Sequence, residues 1–271
     1  MFNTVEKTKP FLKWPGNKYR IIDEIVELLP DGDRLVEPFA GSGSIFLNTS
    51  YPEKLVADND EDLIRLFKHV QMYGEEFIEY ASEVFVPENN VDERYYELRK
   101  EFNTTHDTIR KSALLIYLNR HCFNGLYRKN KKGEFNAAYG KYKKPYFPRK
   151  ELKEFHIRSE DVVFKNQDFL ETLDMVEDGD VVYCDPPYTP LKENAAHVYG
   201  SLQFGDNEHI ALVNKAKKVS GKGIPVLISN HDIPLTRELY NSAHIETFEV
   251  SRTISSKASS RGKVSELLAI Y

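Results

Sequence analysis

The stretch Val181-Val182-Tyr183-Cys184-Asp185-Pro186-Pro187-Tyr188 constrains this chain more than any other. Four apolar, β-branched or aromatic residues follow the turn-forming run Glu177-Asp178-Gly179-Asp180, which is the pattern of a buried strand. Two consecutive prolines, with no N–H to give a ladder, must end that strand. A carboxylate is thereby delivered to the strand's carboxyl end beside backbone carbonyls. The expectation is an acceptor-only pocket with Tyr188 as its lid, suited to a flat base carrying an NH₂ group. Asp-Pro alone would read as a strand running into a rigid surface turn. The sharper reading depends on a cofactor site elsewhere in the chain.

Such a site is visible upstream. Arg34-Leu35-Val36-Glu37-Pro38-Phe39-Ala40-Gly41-Ser42-Gly43-Ser44 reads as a strand, a glycine turn and the start of a helix at Ile45-Phe46-Leu47. Glycine lets a ligand approach the backbone, and a helix start exposes free N–H groups. Leu55-Val56-Ala57-Asp58 is a second short strand ending in an acid, placed to accept hydrogen bonds from ribose hydroxyls. Together they form half of a nucleoside-type site. A nicotinamide enzyme also fits, but the turn lacks the third glycine of the dinucleotide fingerprint.

From about 60 to 121 the pattern changes to helical spacing, over 62–73, 75–85, 93–102 and 108–121, with no strand. This predicts a helical insertion between α/β units. Residues 125–149 then carry eight Lys/Arg against the single acid Glu134, interleaved with aromatic residues, and Lys131-Lys132-Gly133-Glu134-Phe135 suggests a hairpin turn. The net charge of −5 argues against a nucleic-acid partner until this asymmetry is seen. Aromatics, basic residues and the amides of Asn124, Asn130 and Asn136 favour a nucleic-acid contact. Alternation of strands and helices resumes after 160, with strands at 161–164, 181–184, 223–231, 245–250 and 266–270 and a helix at 207–218. The last two strands bracket a basic, hydroxyl-rich loop containing Arg252, Ser255, Ser256, Lys257 and Arg261, which reads either as a phosphate contact or as a disordered surface loop. The two cysteines, Cys122 and Cys184, have no metal-ligand spacing, and no run is long enough to span a membrane. A reducing, cytoplasmic setting with no metal is expected.

Phe11-Leu12-Lys13-Trp14-Pro15-Gly16-Asn17-Lys18, Val36-Glu37-Pro38-Phe39-Ala40-Gly41-Ser42-Gly43, the acid-ended second strand and Asp185-Pro186-Pro187-Tyr188 occur in that order. With Phe123-Asn124-Gly125-Leu126-Tyr127-Arg128 and Leu227-Ile228-Ser229-Asn230-His231-Asp232, the chain closely resembles the Dam-type DNA adenine-N6 methyltransferases from Phe11 to Tyr271. The resemblance implies an α/β fold: a Rossmann-like S-adenosylmethionine-dependent methyltransferase core (1–59 and 145–271) with a helical DNA-recognition insertion (60–144) ending in a basic hairpin. It implies that Trp14 and Lys18 border the methionine and sulfonium end of S-adenosylmethionine. Pro38, Phe39, Ala40, Gly41, Ser42 and Gly43 would form the cofactor turn, Asp58 would hold the ribose, and Asp168 and Phe169 would meet the adenine. Asp185, Pro186, Pro187 and Tyr188 would hold the target base. Arg120, Phe123, Asn124, Leu126, Arg128, Asn130, Asn136, Lys141, Lys143 and Lys144 would face double-stranded DNA, with Arg128 reading a guanine and GATC the implied target. The enzyme would act on the nucleoid as a monomer or weak dimer, without a protein partner.

Overall fold

A computed structural model describes residues 7–189, 204–251 and 263–271, apart from the side chains of Ser251 and Lys263. Arg252, Ser255, Ser256, Lys257 and Arg261 lie outside the described residues. Seven strands form one sheet: β1 (Arg34–Glu37), β2 (Glu53–Asp58), β3 (Val162–Asn166), β4 (Asp180–Cys184), β5 (Val226–His231), β6 (His244–Ser251) and β7 (Lys263–Ile270). Their order is β3-β2-β1-β4-β5-β7-β6. The first five are parallel, and β7 runs antiparallel to both β5 and β6. The chain crosses from one half of the sheet to the other between β1 and β4, where Val36 lies opposite Val182. Ligands of open α/β sheets bind at this crevice, outside the carboxyl ends of the strands.

The predicted strands are all present: β4 and β5 are apolar runs buried along their whole length, whereas β3 leaves Val163 exposed and the edge strand β6 is at most half-buried. Along β4, Val181 and Tyr183 enter one hydrophobic cluster while Val182 and Cys184 enter the other, as the strand's two-residue period requires. The second cluster lies under α6 (Phe169–Asp174) and α7 (Asp206–Ser220), through Leu173, Leu212, Val213 and Ala216. The first extends without interruption from the sheet through α1 (Ile22–Leu28) into the helical stretch.

That stretch contains α2 (Glu61–Ser82), α3 (Asp92–Thr104) and α4 (Thr108–His121). Apart from isolated bridges, no strand lies there among the described residues, and the Lys129–Phe135 bridge forms the anticipated hairpin. Leu63, Leu66 and Phe67 of α2 belong to the same cluster as Val56 and Phe164 of the sheet, so apolar packing crosses the division at 60. No helix of the described residues is long and apolar enough to cross a membrane.

Two expectations are corrected, and two further helices were not anticipated. The helix after the glycine turn is only a 3₁₀ turn, Phe46–Asn48. The Asn48 amide and Thr49 hydroxyl bond back to the carbonyls of Ser44 and Ile45, competing with helix propagation, and Pro52 follows. The helices expected at 62–73 and 75–85 form one element, kinked at Gly74. Finally, α5 (Arg149–Arg158) and α8 (Pro234–Leu239) had no visible signal, because they bury only two residues and one residue respectively.

Gly74 adopts φ 46° and ψ −121° inside α2, and a Cβ there would lie 2.6 Å from Nε2 of His156. Gly74→Ala is therefore strained by its backbone as well as crowded. It should lower unfolding free energy by about 1–3 kcal/mol in a urea titration.

Candidate active site

Asp185 leaves the end of β4 between two neighbours that the sequence places far away. Ser229 on β5 donates its hydroxyl to Asp185 Oδ1 at 2.8 Å. Lys18 Nζ lies 2.7 Å from Oδ1 and 2.8 Å from Oδ2. This corrects the acceptor-only pocket: the carboxylate already carries a buried ammonium group and a hydroxyl. Lys18 is 3% exposed, also donates to the Gly16 carbonyl at 2.6 Å, and sits 4.6 Å from the centroid of the Tyr188 ring. A cation over an aromatic face, held by oxygen acceptors, is favourably placed on both counts.

Tyr188 is fixed as a wall. Its hydroxyl donates to Glu266 of β7 at 3.0 Å, and the His231 ring packs against it nearly edge-on, with centroids 4.7 Å apart. Burial and the nearby Asp185 charge push its phenol well above the ordinary value. Pro186 and Pro187 are followed by Thr189, whose N–H donates to the Asn230 side chain at 3.2 Å and whose carbonyl contacts His231 Nδ1 at 2.8 Å. The Asp-Pro-Pro-Tyr segment is thus held from β5 and β7 as well as by its own prolines.

Across the crevice, Glu37 at the end of β1 is 2% exposed and accepts the Phe46 N–H at 2.9 Å. Burial raises its pKa to about 8, outweighing the Phe46 hydrogen bond, and Asp185 adds to the rise. Pro38 is buried behind it, and the turn from Phe39 to Gly43 follows. The Ala40 N–H donates to the Ala57 carbonyl at 2.8 Å, and the Gly41 N–H donates to Asp58 Oδ2 at 3.1 Å. Gly41 and Gly43 have φ of 47° and 77°, conformations that suit glycine. A Cβ on Gly41 would lie 3.2 Å from the Trp14 indole nitrogen. Ser42 and Ser44 share a hydroxyl contact of 3.0 Å. Asp58 Oδ1 accepts the Asp60 N–H at 3.0 Å, and burial raises the Asp58 pKa to about 6.

The Phe39 and Phe169 rings stack at 5.4 Å, with Phe204 against both. Asp168 spends one carboxylate oxygen capping α6 through the Leu170 N–H, at 2.8 Å. Trp14, Pro38 to Gly43, Asp58, Asp168 and Phe169 therefore line or support the carboxyl side of β1 and its neighbours. Lys18 stands with Asp185 instead.

The residues expected to face DNA divide by burial. Phe123, Asn124, Arg128, Lys141, Lys143 and Lys144 are exposed, and Leu126 is half-buried. Asn124 takes a left-handed conformation, φ 54°, with its N–H donating to the Tyr142 hydroxyl at 2.9 Å. Arg128 is steadied by Asn136, whose side-chain oxygen accepts from Nε at 2.7 Å. Arg120 is a correction: it is 7% exposed, donates to the Phe11 carbonyl and lies over the Tyr146 ring, so it faces the protein interior. Asn130 is half-buried, and its side-chain oxygen accepts the N–H groups of Lys132 and Glu134 and shapes the hairpin. Gly125 is pressed against Lys13, and Asn119 exchanges two 2.8 Å hydrogen bonds with the Lys13 backbone. The segment that follows α4 is therefore seated on the loop that carries Trp14 and Lys18.

Sequence reasoning missed Ser229, Glu37 and Glu266 as site residues. Ser229 lies near the end of an apolar strand, the same signal that singled out Asp185; Glu266 carried none.

A mixed sheet with five parallel strands, a glycine turn and acid-ended strand on one side of its crevice, and Asp-Pro-Pro-Tyr on the other, has the form of a Rossmann-like methyltransferase. The model of the D12 class of N6 adenine-specific DNA methyltransferases matches residues 14–254, and the chain belongs to that family. It is 45% identical over 270 residues to a DNA adenine methylase of Escherichia coli K12, covering 98% of this chain and 96% of that one. It is 44% identical to the DNA adenine methylase of Serratia marcescens, covering 98% and 100%. The corresponding figures for a Vibrio cholerae DNA adenine methylase are 42% identity, 98% and 97%.

Glu37 yields a pH test. Its ordinary pKa of 4.5 rises to about 8 on folding, so the unfolded chain ionises first and this group's contribution to stability falls as pH climbs between those values. Glu37→Gln keeps an acceptor for the Phe46 N–H without a titrating proton. Urea unfolding should show the variant gaining on the parent from pH 5 to pH 8, by roughly 2–4 kcal/mol at the upper end.

Proposed function

We propose that this enzyme transfers a methyl group from S-adenosylmethionine to N6 of an adenine turned out of duplex DNA, with GATC as the target. The observation that carries the reading is the Asp185 carboxylate beside the Tyr188 ring, with Lys18 Nζ already seated as an N–H donor between them. A site that holds one nitrogen donor against an acceptor and over a ring has the chemistry to hold an exocyclic amine.

The chain's residues fit the cofactor. Positive-φ glycines leave two positions of the turn without side chains, the half-buried Asp58 offers carboxylate lone pairs to hydroxyls, and the Phe39–Phe169 pair offers flat apolar surface to a purine. When bound, S-adenosylmethionine supplies an electrophilic methyl group. The protein's task is orientation. Adenine N6 is a poor nucleophile because its lone pair is delocalised into the ring, and inside a duplex it is out of reach, so the base must leave the stack. Asp185 and the Pro186 carbonyl would accept the two N6–H bonds, favouring a pyramidal nitrogen, while Tyr188 stacks on the ring. For the amine to enter, Lys18 must yield one Asp185 oxygen while keeping its bond to Gly16. Placed acceptors and proximity would then supply the acceleration, with no covalent enzyme intermediate. Burial pushes the Cys184 thiol well up, and pushes that of Cys122 to about 12, so neither is a ready nucleophile.

Exposed Arg128, held by Asn136, is assigned to a guanine edge, and Lys141, Lys143 and Lys144 to phosphates. Phe123 and Asn124 would fill the space left by the adenine.

Incubation with tritiated S-adenosylmethionine should label a GATC duplex and leave a scrambled duplex unlabelled; equal labelling would refute the target. Asp185→Ala should reduce transfer at least about 10²-fold, the scale of losing one placed hydrogen-bonding group, with DNA affinity largely retained. Arg128→Ala should cost about 1–3 kcal/mol of discrimination at one base pair. A uniform loss over all sequences would make Arg128 a phosphate contact instead.

A further inference from the structure

Lys129 belongs by sequence to the basic stretch, yet it turns away from solvent. Its ammonium lies 2.9 Å from Asp60 Oδ1 and 3.0 Å from Asp62 Oδ2, and it is 11% exposed. The Tyr127 hydroxyl donates to Asp60 Oδ2 at 2.8 Å. Alternate residues of an extended segment point to opposite sides, so Tyr127 and Lys129 face inward while Arg128, between them, faces out. Asp60 also caps α2 through the N–H groups of Asp62 and Leu63, and its own N–H donates to Asp58 Oδ1 at 3.0 Å. A second connection runs in parallel. Trp14 stacks on Tyr127, with centroids 4.8 Å apart and 25° between planes, and closely approaches Gly41 of the cofactor turn.

We propose that Asp60, Tyr127 and Lys129 are positioning residues that couple the cofactor site to the recognition hairpin. The inference rests on the function proposed above. Hydroxyl groups bound at Asp58 draw on the carboxylate that accepts the Asp60 N–H. The position of Asp60 in turn fixes both inward anchors of the segment bearing Arg128. A ligand at Asp58 therefore favours one placement of Arg128, and by linkage cognate DNA favours the same ligand. Residues that merely held the fold together would weaken both binding events without changing how one affects the other.

The test is the affinity of a GATC duplex, and of the same duplex with the site scrambled, with and without saturating S-adenosylhomocysteine. Wild-type enzyme should bind the GATC duplex at least about fivefold more tightly with S-adenosylhomocysteine present, the lower end of ordinary coupling. Tyr127→Phe removes one hydroxyl, and Asp60→Asn keeps a competent helix cap while removing the charge. Both should bring that factor below about twofold, whereas Lys129→Arg, which preserves the charge pair, should keep most of it. A wild-type factor near one, or an unchanged factor in both variants, overturns the coupling while leaving the function intact. Wild-type enzyme that neither binds S-adenosylhomocysteine nor labels DNA would overturn the functional reading, and the coupling with it.

Discussion

The ion pair between Lys18 and Asp185 joins residues 167 positions apart, and the arrangement of the active site depends on it. An ammonium group as buried as Lys18 requires a compensating charge, and removing either partner leaves the other's charge uncompensated. The pair therefore fastens the loop from Phe11 to Lys18 against the end of β4. The same loop is fastened from the other side, where Asn119 brackets the Lys13 backbone and Arg120 takes the Phe11 carbonyl. Helix α4 is thereby tied to the end of β4 through a segment that belongs to neither. These contacts fix the segment that follows α4 relative to the Asp185 carboxylate.

Much of this architecture was legible in the chain. The strands were readable because a buried strand is a short apolar run closed by turn residues, and Val181 to Cys184 satisfies that without any knowledge of its neighbours. The kink at Gly74 and the one-turn helix after the glycine loop were less legible, since each depends on side chains competing with regular backbone bonds. The partners of Asp185 and Tyr188 were hidden for another reason. Ser229 and Glu266 arrive through the lateral order of β4, β5 and β7, with His231 opposite Glu266 across the antiparallel pair. A strand pattern shows that a residue is in a sheet, but not which strand lies next to it.

Arg120 and Arg128 show the same limit for charge. Both stand among aromatic and amide residues, and both suggested a DNA contact. Only the fold distinguishes them, with Arg120 buried at the end of α4 and Arg128 exposed beside the hairpin. The exposed arginine is held at Nε by Asn136, while its NH2 donates to the Asn136 carbonyl at 3.3 Å. Orienting the guanidinium before binding reduces the conformational entropy that a base contact must overcome.

The charge distribution reconciles an acidic protein with an anionic substrate. Lys129 is neutralised by Asp60 and Asp62 in a largely buried cluster, and Arg149 by Glu75 and Glu79 at the surface, so two of the eight basic residues between 125 and 149 are paired within the protein. Arg128, Lys131, Lys132, Lys141, Lys143 and Lys144 remain exposed. Many acids of the helical stretch are also paired locally, as in Arg65–Glu61, Arg94–Glu97 and Arg110–Glu101. Such exposed pairs add little to stability. Their larger effect is to cancel the field of the acids within the screening length, about 8 Å at physiological ionic strength, beyond which salt already suppresses it. A phosphate approaching residues 128–144 would then find six exposed cations in that segment against the single acid Glu134. The net charge of the whole chain consequently says little about its partner, because local potential, not the sum, governs the encounter.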